Sequence, residues 1–169
     1  MARPVRPLWG GLVTTAALCL AAPLSLDVGP VPITLQSLIV CLAGALAGGA
    51  GVLGVASWLL LAALGLPVLS GMKGGLAAMS GMSAGFLVAL PLAARLAMRW
   101  DRGWGWQPTL LLMLAAHALL LALGGAVIAL RGGDETALAV LLPGAGVKAA
   151  MATAVLWMVG RRTTQTRLH

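Results

Sequence analysis

From Val28 to Met72 the chain carries no charged residue. A soluble domain has about one charged residue in four, so this stretch has no water-facing surface of its own. It is also too long for a single crossing, because about 20 helical residues span a hydrocarbon core of about 30 Å. It must therefore fold back within a bilayer, and Gly48-Gly49-Ala50-Gly51 is the expected hinge. The whole chain follows the same trend. Of its 169 residues 60% are hydrophobic and 9% charged, with mean hydropathy +1.01. Such a composition defines an integral membrane protein.

Apolar runs at about 8–26, 33–48, 51–66, 76–95, 107–130 and 137–160 read as six transmembrane helices. They make an all-α membrane fold, one compact six-helix domain over 1–169, with no room for a second soluble domain. The stretch from Gly65 to Gly75 is too broken by glycine and proline to be a full span.

The net charge is +7, and the basic residues sit at the ends of the apolar runs. Arg3, Arg6, Arg95, Arg99, Arg102, Arg161, Arg162 and Arg167 fall on one side of a six-span chain. Lys73 and Arg131 fall on the other, with Asp27, Asp134 and Glu135. The positive-inside rule then predicts cytoplasmic N- and C-termini. Trp100, Trp104 and Trp106 suit the headgroup belt. No clustered basic face is present, so nucleic-acid binding is not expected. Residues 1–26 also resemble a signal peptide in their Arg-containing start and short apolar core; the stiff turn that follows favours a retained helix. Cys19 and Cys41 lie in apolar runs without CxxC spacing and read as buried free thiols.

That turn is Val28-Gly29-Pro30-Val31-Pro32. Each proline lacks an N–H and fixes φ, and each pushes the residue before it toward extended backbone. The turn delivers Thr34 and Gln36 where the second apolar run begins, either as helix-end hydrogen bonders or as ligand contacts. Ala17 and Ala21, Ala43 and Ala47, and Gly44 and Gly48 are small-xxx-small pairs that let helices approach closely. Internal packing is the commoner use of such pairs.

Lys148 stands inside the sixth run, flanked by uncharged residues on both sides. An ionisable group there is costly and defaults to a functional role. Pro143 and the neighbouring glycines are expected to break the helix and set Lys148 at an outward-facing cavity. No acidic residue lies within a span, so an anionic ligand is the expected partner; the alternative is a lysine snorkelling to the interface. His117, in the fifth run, reads first as a helix-to-helix hydrogen bonder. Membrane carboxylates that would serve a proton or sodium drive are missing, as is a phosphate-binding GxxxxGK[ST] loop. Transport would need another subunit or be passive. Gly81-Met82-Ser83-Ala84-Gly85 matches G-x-S-x-G, and Ser83 with His117 loosely resembles the dyad of a rhomboid protease. That match is weak, because the elbow belongs at a strand-to-helix turn. The chain is not expected to be an enzyme, and no metal or cofactor is expected.

Taken together the motifs resemble the BioY family, the biotin-specific S components of energy-coupling factor (ECF) transporters. Pro30-Val31-Pro32-Ile33-Thr34-Leu35-Gln36 resembles the family's P-x-P-x-T-x-Q signature. Gly65-Leu66-Pro67-Val68 resembles GLPVF, with Leu69 replacing the aromatic. Gly81 to Leu87 resembles GPTGGYL, with Met82, Ser83, Ala84 and Phe86 as departures. Pro143 to Lys148 resembles PGDxxK, with Ala145 where aspartate is usual. Trp58 falls where the family often has tyrosine. The resemblance implies a membrane subunit of the bacterial plasma membrane that captures biotin from outside. It also implies partners, a transmembrane coupling protein and two ATPases, with Ala17 and Ala21 on the contacting helix. Another vitamin or anionic ligand in the same fold is the alternative.

Biotin's chemistry then assigns roles. Thr34, Gln36 and Ser83 would serve its ureido head, and Trp58, Phe86 and Leu69 would wall its apolar parts. Lys148 would meet the carboxylate in a charge-assisted contact. Gly85 belongs to the same motif, and Lys73 is either part of a lid or a solvated loop charge.

Overall fold

The computed structural model describes residues 9–26, 33–133 and 136–165. The Pro30–Pro32 turn, Arg3, Arg6, Asp27, Asp134, Glu135 and Arg167 lie outside the described residues. The described chain is helical apart from one two-residue strand pair. In order it forms α1 (Trp9–Ala21), β1 (Ser25–Leu26), β2 (Ile33–Thr34), α2 (Gln36–Ala47), α3 (Gly49–Ala63), α4 (Leu76–Met79), α5 (Ala84–Ala97), α6 (Trp106–Leu130) and α7 (Thr136–Gln165).

Helix α2 is the centre of the bundle, in contact with α1, α3, α5 and α7, while α6 packs between α5 and α7. The reversal between α2 and α3 takes a single residue, Gly48, at φ +62°. A residue with a Cβ would be strained there, so the expected glycine hinge is where the chain turns. Gly44 lies directly against the Ala94 backbone carbonyl of α5. This small residue thus serves packing within the bundle. Helix α1 is tied to α3 by the Thr15 hydroxyl, which donates to the Gly54 carbonyl at 3.0 Å.

Two expectations need correction. The 76–95 stretch is not one helix: α4 ends at Met79 and α5 begins at Ala84. Ser80 donates its hydroxyl to the Ala77 carbonyl at 3.0 Å, and Gly81 follows. Both favour a turn over a continued helix. Conversely, α7 runs unbroken through Pro143. A proline within a helix removes one backbone hydrogen bond, and neighbouring turns and helices re-satisfy what is freed.

The core holds the fully buried side chains of Leu18, Val40, Val55, Trp58, Met113 and Leu156. The outside of the bundle is apolar as well, with Leu12, Leu53, Leu60, Val88, Leu111 and Val147 all exposed. A soluble monomer rarely shows so extended an apolar surface. Helix α6 and the Leu138–Arg161 part of α7 are each long and apolar enough to cross a membrane. Helices α1, α2, α3 and α5 are shorter apolar helices.

Candidate ligand-binding site

One end of the bundle opens into a cavity of about 420 Å³, within the roughly 300–1,000 Å³ of small-molecule sites. Its rim is built first by the strand pair. Ser25 stands opposite Thr34 in the antiparallel register, which fixes Thr34 beside the start of α2. The Thr34 hydroxyl donates to Gln36 Oε1 at 3.2 Å, and both residues line the cavity. The N-cap of α2 is Leu35, with no side-chain cap bond. Thr34 and Gln36 are therefore not helix caps.

The loop after α3 forms the second wall. Trp58, fully buried in α3, donates its indole N–H to the Val68 carbonyl at 3.0 Å. Beyond Val68 the Leu69 N–H reaches the Lys73 carbonyl at 2.9 Å, and the Gly75 N–H returns to the Ala62 carbonyl at 2.7 Å. This tight loop buries Val68 and Leu69 and carries the exposed Lys73 at the cavity mouth.

Helices supply the rest. Ser83 and Phe86 line the cavity from the start of α5, His117 and Leu120 from α6, and Leu141, Ala145 and Lys148 from α7. The Phe86 ring packs directly against Gly124 of α6. Six of the eight residues expected from sequence thus meet at one cavity: Thr34, Gln36, Lys73, Ser83, Phe86 and Lys148. The other two, Trp58 and Gly85, do not line it. Trp58 is turned into the core, where its indole secures the loop. Gly85 is buried where α5 crosses α6, directly against the Leu123 carbonyl; its lack of a side chain sets the position of Phe86.

The electrostatics are one-sided. Lys73 and Lys148 line the cavity, and among the described residues no Asp or Glu does. The acidic residue among the described ones is Asp101, which accepts the Gly103 N–H at 2.8 Å in the loop between α5 and α6. Lys148 is half-buried and has no carboxylate partner among the described residues. Three polar residues of the cavity are not among the ligand contacts expected from sequence: Ser37, Ser70 and His117. The two serines carry no sequence signal beyond their neighbours Gln36 and Leu69. His117 bonds within its own helix rather than to another one, since Nδ1 lies 2.9 Å from the Met113 carbonyl. Among the described residues no hydrogen bond joins Ser83 to His117, so a catalytic dyad is not assembled. Ala17 and Ala21 are half-buried on α1, flanking an outward face of Trp9, Leu12, Val13 and Leu20.

The chain is a helical bundle with a mostly apolar cavity at one end, lined by Lys73 and Lys148. A model of the BioY family matches residues 3–165, and the chain belongs to that family. It is 55% identical over 73 residues to the biotin transporter BioY of Rhizobium etli, covering 43% of this chain and 39% of that protein. It is 31% identical over 117 residues to biotin transporter BioY2 of Lactococcus lactis, covering 64% and 62%. The chain thus spans less than two thirds of the length of these relatives. Its fold matches the crystal structure of an S-component for biotin from an ECF-type ABC transporter with TM-score 0.82 and 25% identity. That match covers 91% of this chain and 90% of the other.

Proposed function

We propose that this chain is the substrate-binding membrane subunit of a biotin uptake system, an S component that captures biotin outside the cell. The observation that carries this reading is the cavity. It joins polar groups at its rim (Thr34, Gln36, Ser83) to apolar walls (Leu69, Phe86, Leu120) and to Lys148, which no carboxylate answers among the described residues. Biotin has the matching parts: a hydrogen-bonding ureido ring, an apolar thiophane ring and chain, and a carboxylate. Lys73 then belongs to the part of the loop that covers the bound ligand.

Six segments cross the plasma membrane in this reading, with both termini cytoplasmic and the cavity facing out. The split fourth segment crosses as α5, with α4 folded at its outer end. Uptake is powered elsewhere, by an ECF transmembrane coupling protein and ATPases that engage α1 along Ala17 and Ala21. The test is direct. Purified protein in detergent, titrated calorimetrically with biotin, should bind one molecule per chain. Absence of saturable binding overturns the assignment.

A further inference from the structure

His117 is 3% exposed and lines the cavity, yet one of its ring nitrogens has no partner among the described residues. A carbonyl oxygen can only accept a hydrogen bond. The Met113 carbonyl 2.9 Å from Nδ1 therefore places the ring proton on Nδ1. In the neutral imidazole this leaves Nε2 bare, an acceptor. That Nε2 is buried and makes no hydrogen bond among the described residues. Buried polar atoms in native proteins are nearly always satisfied, so an unpaired one on a residue lining a cavity calls for an explanation, and a bound molecule or a water can supply it. The helix explains the arrangement: Met113 lies one turn before His117, so the backbone itself locks the tautomer.

We propose that His117 is a ligand-recognition residue, its Nε2 accepting a hydrogen bond from an N–H donor of the bound molecule. This rests on the biotin reading, under which the donor is a ureido N–H. Lys148 then reads the anionic end and His117 reads the neutral donor end, so the cavity selects molecules that carry both groups.

The experiment compares biotin with biotin methyl ester, which keeps the ureido N–H groups and loses the anion. His117→Leu should weaken both ligands by the same factor, about tenfold or more, the range of a buried donor left without its acceptor. His117→Gln, which keeps an acceptor near the Nε2 position, should recover most of the loss. His117→Asn keeps only a group near Nδ1 and should not. A loss confined to the free acid, unchanged affinity in His117→Leu, or equal recovery by Asn and Gln would each overturn the inference. Nitrogen-15 NMR of histidine-labelled protein judges it without any ligand, since the chain has 2 histidines, His117 and His169. A bare Nε2 in the free protein is expected, and a proton on that nitrogen sinks the inference. If biotin and its ester both fail to bind the parent protein, the biotin reading falls separately, and the NMR tautomer still decides the role of His117.

Discussion

The Trp58 indole N–H meets the Val68 carbonyl at 3.0 Å and joins the buried face of α3 to the loop that carries Lys73. Trp58 is fully buried, so the bond lies out of water and its geometry is set by core packing. The loop is thereby fastened at its middle, and the Gly75 N–H to the Ala62 carbonyl fastens its end. Between these points the Gly71 N–H also reaches the Pro23 carbonyl at 3.3 Å.

Trp58→Phe tests this coupling. The change keeps an aromatic in the core but leaves the Val68 carbonyl without its donor, at a cost of about 1–3 kcal/mol. Thermal unfolding should shift downward. Ligand dissociation, followed by competition after rapid mixing, should speed up several-fold while Lys148 still governs preference for the acid. A variant with lowered stability but an unchanged dissociation rate would show that the loop is held independently of Trp58.

Phe86 and Gly124 give a second test. A Cβ on Gly124 would collide with the Phe86 ring, so Gly124→Ala must push that ring toward the cavity. Overpacking of this kind costs about 1–3 kcal/mol, and the space for ligand shrinks with it. Biotin affinity should fall, and Phe86→Leu in the same background should restore part of it. Contacting residues are where additivity fails. Purely additive effects in the double variant would argue against ring displacement.

Much of the lining of this cavity is legible in the sequence, and the reason is chemical. Lys148 announced itself because a charge in an apolar run has few structural uses. Thr34 and Gln36 followed from their place after a rigid proline turn. Family position does not say which way a helix face points: Trp58 is fully buried in the core, and no residue of α3 lines the cavity. Gly85 misled for a related reason, since its backbone approach to Leu123 is a tertiary fact. The unbroken α7 shows the limit of the proline signal: Pro143 removes one hydrogen bond, and the remaining turns of a 30-residue helix hold. The position of His117 in an apolar run does not show its partners; the Met113 carbonyl takes Nδ1, and Nε2 has no partner among the described residues.

Orientation can be checked with single cysteines in a background lacking Cys19 and Cys41. Met72 is 64% exposed in the loop at the cavity mouth, and Trp104 is 37% exposed in the loop between α5 and α6. If the cavity faces out, Met72→Cys in intact cells should react with a membrane-impermeant maleimide. Trp104→Cys should react only after permeabilisation. The reverse pattern would place the cavity on the cytoplasmic side and remove capture from outside.

The last prediction concerns Lys148 itself. Its ammonium lines the cavity without a carboxylate partner among the described residues, so a bound carboxylate would gain a charge-assisted bond in a low-dielectric setting. Hydrogen bonds to charged groups contribute about 1.5–3 kcal/mol, or roughly 10- to 150-fold in affinity. Lys148→Met keeps the length and apolar stem and removes the charge. It should weaken biotin by about that factor and leave biotin methyl ester nearly unaffected, so that acid and ester converge. Lys73→Met, at the exposed mouth, should cost much less, because exposed charge pairs contribute at most about 1 kcal/mol. If Lys148→Met still prefers the acid as strongly as the parent protein does, the carboxylate is read elsewhere, and Lys73 becomes the residue to examine.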